Sequence, residues 1–224
     1  MDINHLSGLF VPTVVAMFAT AFVILWLFQK QKRHILGFAG VFFMFAIALI
    51  LSPIMLTNIT PPIVIIGNVA VISGFFLLVW SIFKREKKQG IHIPIWAITT
   101  VGITGTITTA WATAAFDSIN LQIVSNTTMF SLLCLISAAC LKQHAFQKSI
   151  ECLIFWSIMA CSVQLSVLAG TTFFFEGAIE NANFKETGFW VAINLIAITS
   201  AILMALSIFV LCAFDSFTDA RDEA

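Results

Sequence analysis

Long uncharged apolar stretches limit this chain more than any other feature of its sequence. Seven stretches of about 20 residues or more lack Lys, Arg, Asp and Glu away from their ends, and an α-helix needs about 20 apolar residues to cross a bilayer. Only 10% of the 224 residues are charged, whereas a soluble domain has about 25%. The sequence therefore predicts an integral membrane protein. The predicted spans are approximately Leu9–Phe28, Ile35–Leu56, Pro62–Phe83, Ile93–Ala115, Leu121–Leu141, Ile150–Gly170 and Gly188–Phe214.

Short loops join these spans, which predicts an all-α fold in which seven transmembrane helices form one up-and-down bundle. We assign residues 1–214 to this transmembrane domain. Residues 215–224 read "DSFTDARDEA" and contain neither Gly nor Pro, while Ala, Arg and Glu favour helix. They predict the start of a cytoplasmic linker helix that continues directly from the seventh span.

Basic residues set the expected orientation, because cytoplasmic loops are rich in Lys and Arg. Ten of the eleven lie on one side of the predicted bundle, and Lys185 is on the other. The ten are Lys30, Lys32, Arg33, Lys84, Arg85, Lys87, Lys88, Lys142, Lys148 and Arg221. This division predicts a multi-pass membrane protein with its N-terminus outside and its C-terminus in the cytoplasm. Acidic residues also number eleven, so no basic excess favours nucleic acid, and the expected partner is the lipid bilayer.

The uncharged interior of the spans argues against several functions. Proton-coupled pumps and ion channels use buried charges, and the lack of a lysine in span seven excludes a retinal Schiff base. The sequence has no GxSxG, HExxH or P-loop motif, so we do not expect the chain to be an enzyme by itself. Its five cysteines form no CxxC and no histidine lies mid-span. We therefore expect no metal and no cofactor.

Uncharged amides inside the spans are the candidates for a site. They are Asn68, Asn126, Gln164 and Asn194. Each amide can hydrogen-bond to a neighbouring helix, and this structural role is the interpretation we favour. The alternative is a polar lining for a small ligand, or a hydrogen-bond switch between two packings of the helices. Two tryptophans near the outer ends of their spans join the amides as candidates, Trp111 and Trp190.

Two further groups of residues are candidates for packing and for signal output. Gly102 and Gly105 lie in the Thr-rich span four, where small residues let helices approach closely, either within one subunit or between two. Four residues at the end of the chain are candidates for passing a conformational change to the cytoplasm, because a rigid helix transmits rotation and tilt. They are Phe214, Asp215, Asp219 and Arg221.

The layout resembles a known family of membrane sensors. The opening "LFVPTVVAMFATAFVILWLFQKQKRHILGFAGVFFMFAIALIL" (Leu9–Leu51) has an outer polar turn before it, a span rich in Phe, Leu and Trp, and a basic inner turn. With seven spans and a helical exit, it is similar to the membrane sensor regions of bacterial diguanylate cyclases. The resemblance implies a homodimer in the bacterial inner membrane, with a GGDEF domain that makes cyclic di-GMP fused at its cytoplasmic C-terminus. No GGDEF or GGEEF motif occurs within these 224 residues.

Two other functions remain open from the sequence. The four amides could line a path for an uncharged solute, as in a small-solute carrier, although carriers often show internal repeats and broken helices and only Pro53 and Gly67 suggest such breaks. The chain could also be a structural subunit of a larger membrane complex. The sequence names neither a signal nor a solute.

Overall fold

A computed structural model describes residues 3–57, 61–85, 95–116, 119–145, 149–174, 195 and 199–214. These residues form seven helices, so the predicted all-helical class is confirmed. The helices are α1 (Ile3–Phe28), α2 (Arg33–Thr57), α3 (Pro61–Arg85), α4 (Ile95–Phe116), α5 (Ile119–Ala145), α6 (Ser149–Phe174) and α7 (Thr199–Phe214). Each overlaps one predicted span, and α7 covers the second part of the span predicted as Gly188–Phe214.

The observed helix ends differ from the prediction where hydropathy gives no signal. α1 begins at Ile3 rather than at Leu9 and includes Pro12. Residues 29–32 join α1 to α2 in a tight turn, in which Gln29 N–H donates to the Trp26 carbonyl (2.9 Å) and Lys32 N–H to the Gln29 carbonyl (2.9 Å). Such bonds satisfy the backbone groups that a helix end leaves without partners. Residues 215–224, the predicted linker helix, lie outside the described residues.

Five of the described helices are long and apolar enough to cross a membrane. These segments are Phe10–Phe28, Arg33–Leu51, Pro62–Arg85, Leu121–Leu141 and Cys152–Phe174. α4 is not among the five and is the helix richest in threonine, while α7 is apolar but shorter over its described length. The described part of the chain is therefore of the multi-pass membrane type, and the count of seven spans remains a prediction.

The helices pack in chain order and form a closed bundle. Each of α1 to α6 packs against the next helix, and α3 also contacts α5. α7 contacts both ends of this series. The Phe209 ring lies 6.1 Å from the Phe22 ring of α1, and the Ser207 hydroxyl lies 2.8 Å from the Ser157 hydroxyl of α6.

Apolar side chains cover both the inside and the outside of the bundle. Phe22, Phe38 and Phe42 are fully buried between α1 and α2, and the rings of Phe22 and Phe42 stack with centroids 5.4 Å apart. Many large apolar residues are nevertheless exposed, including Phe28 at 83%. A helix that is apolar all round suits a membrane, where lipid covers the outer face.

Glycines bring α4 close to the helices on either side. A Cβ atom added to Gly102 would lie 2.7 Å from Cδ1 and Cγ1 of Ile72 on α3. A Cβ atom on Gly105 would overlap Cγ and Sδ of Met129 on α5. Both glycines proposed from the sequence thus lie at contacts between helices of one subunit.

Gly102→Ala is expected to lower the free energy of unfolding by about 1–3 kcal/mol, because Ile72 is β-branched and cannot easily move away. Gly170→Ala is the matched control, since a Cβ atom there would meet nothing within 4 Å. That change should raise stability by about 0.5–1 kcal/mol through helix propensity. Unfolding of the two purified variants in detergent measures their free energies of unfolding. If Gly102→Ala and Gly170→Ala change this free energy equally, the packing of Gly102 against Ile72 is contradicted.

Candidate functional site

The described charged side chains fix the two ends of the bundle. Arg33 begins α2, Lys84 and Arg85 end α3, and Lys30 and Lys32 lie in the α1–α2 turn. We call this the basic end and the other the opposite end. α1, α3 and α5 run toward the basic end because consecutive helices are joined in alternating directions. No other charged side chain is among those that the structure describes.

A series of hydrogen bonds between hydroxyl and amide side chains joins α4, α5, α6 and α7. We call it the polar seam. It consists of Thr108, Thr109, Ser125, Asn126, Ser131, Ser157, Ser162, Gln164, Ser166, Ser200 and Ser207. Because lipid offers no hydrogen-bond partner, such side chains must find one inside the protein.

The α4–α5 part of the polar seam centres on Thr109, which is fully buried. Its hydroxyl lies 2.9 Å from the Ser125 hydroxyl and 3.1 Å from Oδ1 of Asn126. It is also 2.8 Å from the carbonyl of Gly105 in its own helix. A hydroxyl donates only one hydrogen, so the Gly105 carbonyl and Asn126 Oδ1 are alternative acceptors.

The α5–α6 part has the same character. The Ser131 hydroxyl lies 3.0 Å from the Ser162 hydroxyl, 2.8 Å from the Ser166 hydroxyl and 3.1 Å from the Ser162 carbonyl. Ser162 in turn donates to the Ser131 carbonyl at 3.2 Å. These groups can exchange donor and acceptor roles while the backbones stay in contact.

The α6–α7 part connects the polar seam to the last helix. The Ser157 and Ser207 hydroxyls lie 2.8 Å apart, yet each is also within hydrogen-bond distance of a carbonyl in its own helix, Leu153 for Ser157 and Leu203 for Ser207. Ser200 donates to Oε1 of Gln164. α7 is therefore held to α6 by bonds that compete with bonds inside each helix.

The amides proposed from the sequence divide into two kinds. Asn126 and Gln164 belong to the polar seam and bond to a neighbouring helix. Asn68 is 1% exposed on α3, and its Nδ2 has no hydrogen-bond partner among the described residues. Asn194 lies outside the described residues.

The remaining candidates are spread over the molecule. Trp111 is 59% exposed on α4, and Phe214 is half-exposed at the last described position of α7. Four candidates lie outside the described residues, so the roles proposed for them from the sequence stay predictions. They are Trp190, Asp215, Asp219 and Arg221.

Sequence reasoning missed the serines of the polar seam and also Gln122, which is 3% exposed on α5. Gln122 is itself an amide inside the predicted span Leu121–Leu141, so its residue type was the signal that could have identified it. Serine is common in membrane helices and often bonds to its own backbone, so its presence alone does not indicate a partner. The signal available was the recurrence of Ser131, Ser157, Ser162 and Ser207 in the last three spans.

Thr109→Val keeps the shape of the side chain and removes its hydroxyl, leaving Ser125 and Asn126 without that partner. It is expected to lower the free energy of unfolding by about 0.5–2 kcal/mol. Thr20→Val is the control, because Thr20 is exposed and, among the described residues, its hydroxyl bonds to the Ala16 carbonyl of its own helix at 3.0 Å. A Thr109 variant as stable as the Thr20 variant would mean that the α4–α5 hydrogen bonds contribute nothing.

The site offers hydrogen-bonding chemistry without a charge or a metal cluster. No group of three or more His, Cys, Asp or Glu that could hold a metal occurs within the described ranges. None of the five cysteines forms a disulfide within the described ranges, and Cys134, Cys161 and Cys212 are buried. Comparisons with protein-family models, with curated proteins and with solved structures found no match to this chain.

Proposed function

We propose that the chain is the sensing part of a membrane signal-transduction protein, in which a change in helix packing passes through α7 to the cytoplasm. The observation that carries the proposal is the polar seam, because it connects α4 to α7 through hydroxyls with alternative acceptors. A signal transmitter needs two arrangements that differ little in free energy. Ser157 and Ser207 meet this need, since each can bond across the interface or within its own helix.

The free energies involved suit a switch. Hydrogen bonds between membrane helices contribute about 0.6 kcal/mol each on average. Exchanging one for a bond within the helix therefore changes an equilibrium by about threefold, since 1.4 kcal/mol corresponds to tenfold. Several exchanges along the polar seam would together shift the population of two packings substantially. Apolar contacts alone do not provide two alternative arrangements of this kind.

The proposed direction of output follows from α7 and from the positive charges. α7 contacts α1 and α6 and runs to Phe214. We propose that the basic end faces the cytoplasm of a bacterial inner membrane, with the N-terminus outside. As the resemblance to diguanylate cyclase sensors implies, the output would be a GGDEF domain following residue 224, in a homodimer.

The carrier alternative has less support. Carriers of small solutes commonly have discontinuous helices at mid-membrane. α1 to α6 are each continuous from end to end. Uptake of an uncharged solute by proteoliposomes that contain the purified chain would favour the carrier over the sensor.

The orientation predicts the behaviour of reporter fusions. Alkaline phosphatase, which is active only outside the cytoplasm, should be inactive when fused after Lys88 and active when fused after Asp117. Green fluorescent protein, which fluoresces in the cytoplasm, should give the reverse pattern at the same two positions. Fluorescence after Asp117 together with phosphatase activity after Lys88 would invert the proposed topology.

The output mechanism predicts a phase dependence in a chimera with a GGDEF domain joined after Ala224. One inserted residue after Phe214 turns a continuing helix by about 100°, whereas seven residues make about two full turns. Insertions of one to three residues should therefore change cyclic di-GMP synthesis, and seven should restore it. Ser207→Ala should shift the basal output by about threefold. If none of the insertions changes cyclic di-GMP synthesis, coupling through a rigid helix is excluded.

A further inference from the structure

Positive charges gather where α2 begins and α3 ends. Arg33 is the first residue of α2, and Lys84 belongs to the last turn of α3. Both side chains are exposed, and no Asp or Glu side chain is among those that the structure describes. In the sequence, residues 28–35 contain three Lys or Arg and no acid, and residues 84–88 read "KREKK", with one acid against four bases. The ends of these two helices therefore carry an excess of positive charge.

The packing of α2 against α3 brings Arg33 and Lys84 to the same level. A Cβ atom added to Gly37 would overlap the Ser81 hydroxyl and would lie 3.0 Å from Cζ3 of Trp80, so the two helices touch at this point. Arg33 is four residues before Gly37, and Lys84 is four residues after Trp80, which is about one helical turn in each case. Because α2 and α3 run in opposite directions, both turns lead toward the basic end. The two cations thus lie side by side, one turn beyond a direct contact.

Both cations also lie on the outer side of this contact. Successive residues of a helix are rotated by about 100°, which places Arg33 between the exposed Leu36 and the α3 contact at Gly37. By the same rotation, Lys84 lies between the exposed Trp80 and the α2 contact. Axes of packed helices are about 8–10 Å apart, so the two long side chains can reach one group placed between them.

Two cations beside an exposed apolar surface suit an amphiphilic anion. Leu36 and Trp80 are large, exposed and about one turn farther into the bundle than the charges, and Trp is favoured at the membrane–water interface. Phosphate oxygens accept paired hydrogen bonds from Arg and are attracted to Lys as a point charge. We propose that an anionic phospholipid binds here, with its phosphate between Arg33 and Lys84 and an acyl chain against Leu36 and Trp80. A soluble phosphate would use the cations alone.

The stability of α2 does not explain why a cation stands at position 33. The N-terminus of a helix carries a partial positive charge, so Arg33 is placed unfavourably for its own helix. Arg33→Gln is therefore expected to leave the melting temperature of the lipid-free protein unchanged or slightly higher. A loss of lipid binding in this variant would then not reflect a folding defect.

Thermal unfolding of the purified full chain in a neutral detergent tests the site, with dioleoylphosphatidylglycerol as the probe. At a lipid concentration of about ten times Kd, the melting temperature should rise by about 3–6 °C, and the rise should saturate. Dioleoylphosphatidylcholine has the same acyl chains with a zwitterionic headgroup, and glycerol phosphate has the phosphate without acyl chains. Absence of the rise, or an equal rise with either control compound, would overturn the proposal.

Charge-removing variants separate this site from a general attraction between anionic lipid and the basic end. Arg33→Gln and Lys84→Gln should each raise the lipid concentration at the half-maximal shift by about fivefold. Lys30→Gln is the matched control, because Lys30 is exposed at the same end but lies in the turn from α1. α1 packs on another face of α2, where the rings of Phe22 and Phe38 are 6.1 Å apart.

Lys30→Gln should leave the half-maximal lipid concentration nearly unchanged. If it weakens lipid binding as much as Arg33→Gln does, the attraction belongs to the whole basic end and the proposed site is wrong. If neither Arg33→Gln nor Lys84→Gln weakens binding, the site is equally wrong.

The lipid site goes beyond the proposed function and does not depend on it, since binding in detergent requires neither a membrane orientation nor a GGDEF domain. A lipid shift that depends on Arg33 and Lys84, in a chain whose cyclase chimera is unaffected by insertions after Phe214, would support the site and reject the sensor. Insertion-dependent output without a lipid shift would support the sensor and reject the site.

Discussion

The constraint on which this structure depends is that polar groups surrounded by hydrocarbon must find their partners within the protein. Backbone groups meet this requirement by forming helices, which explains why the described residues are helical almost throughout. Side-chain hydroxyls meet it in two ways, through a carbonyl of the same helix or through a neighbouring helix. Thr109, Ser157 and Ser207 have both options available. In the polar seam, acceptors of both kinds lie within hydrogen-bond distance of the same hydroxyls.

The two halves of the bundle are held together by different interactions. Between α1, α2 and α3 the contacts are aromatic, with Phe22 stacked on Phe42 and the Phe45 ring 5.4 Å from the Phe75 ring. Between α4 and α7 apolar residues such as Leu133, Ile158 and Ile208 are also packed in the core, and hydroxyl and amide hydrogen bonds are added to that packing. Interlocked rings have one good arrangement, since packed interiors tolerate little displacement. The first three helices are thus joined mainly by apolar and aromatic packing, and the last four by apolar packing together with the polar seam.

The sequence predicted the helices well because run length and charge are read directly from the residues. A helix overlaps each of the seven predicted spans over the residues that the structure describes. The buried face of each helix was much harder to predict. Phe28 is apolar and exposed while Phe22 is apolar and buried, so hydropathy does not distinguish a face that contacts lipid from one that contacts a neighbouring helix. For the same reason the contact of α7 with α1, the partners of the serines and the burial of Gln122 became known only from the structure. Asn68 was identified from its residue type, but its missing partner depends on what surrounds it.

The position of α7 between α1 and α6 has a consequence for the order in which the protein can assemble. During synthesis the helices emerge in sequence, and α1 and α6 enter the membrane before Phe209 and Ser207 have been made. Until then Phe22 has the rings of Phe38 and Phe42 on α2 but not that of Phe209, and Ser157 can use only the carbonyl of Leu153. The bundle must therefore remain open along one side while it is built, and the last helix both completes the fold and acts as its closing element.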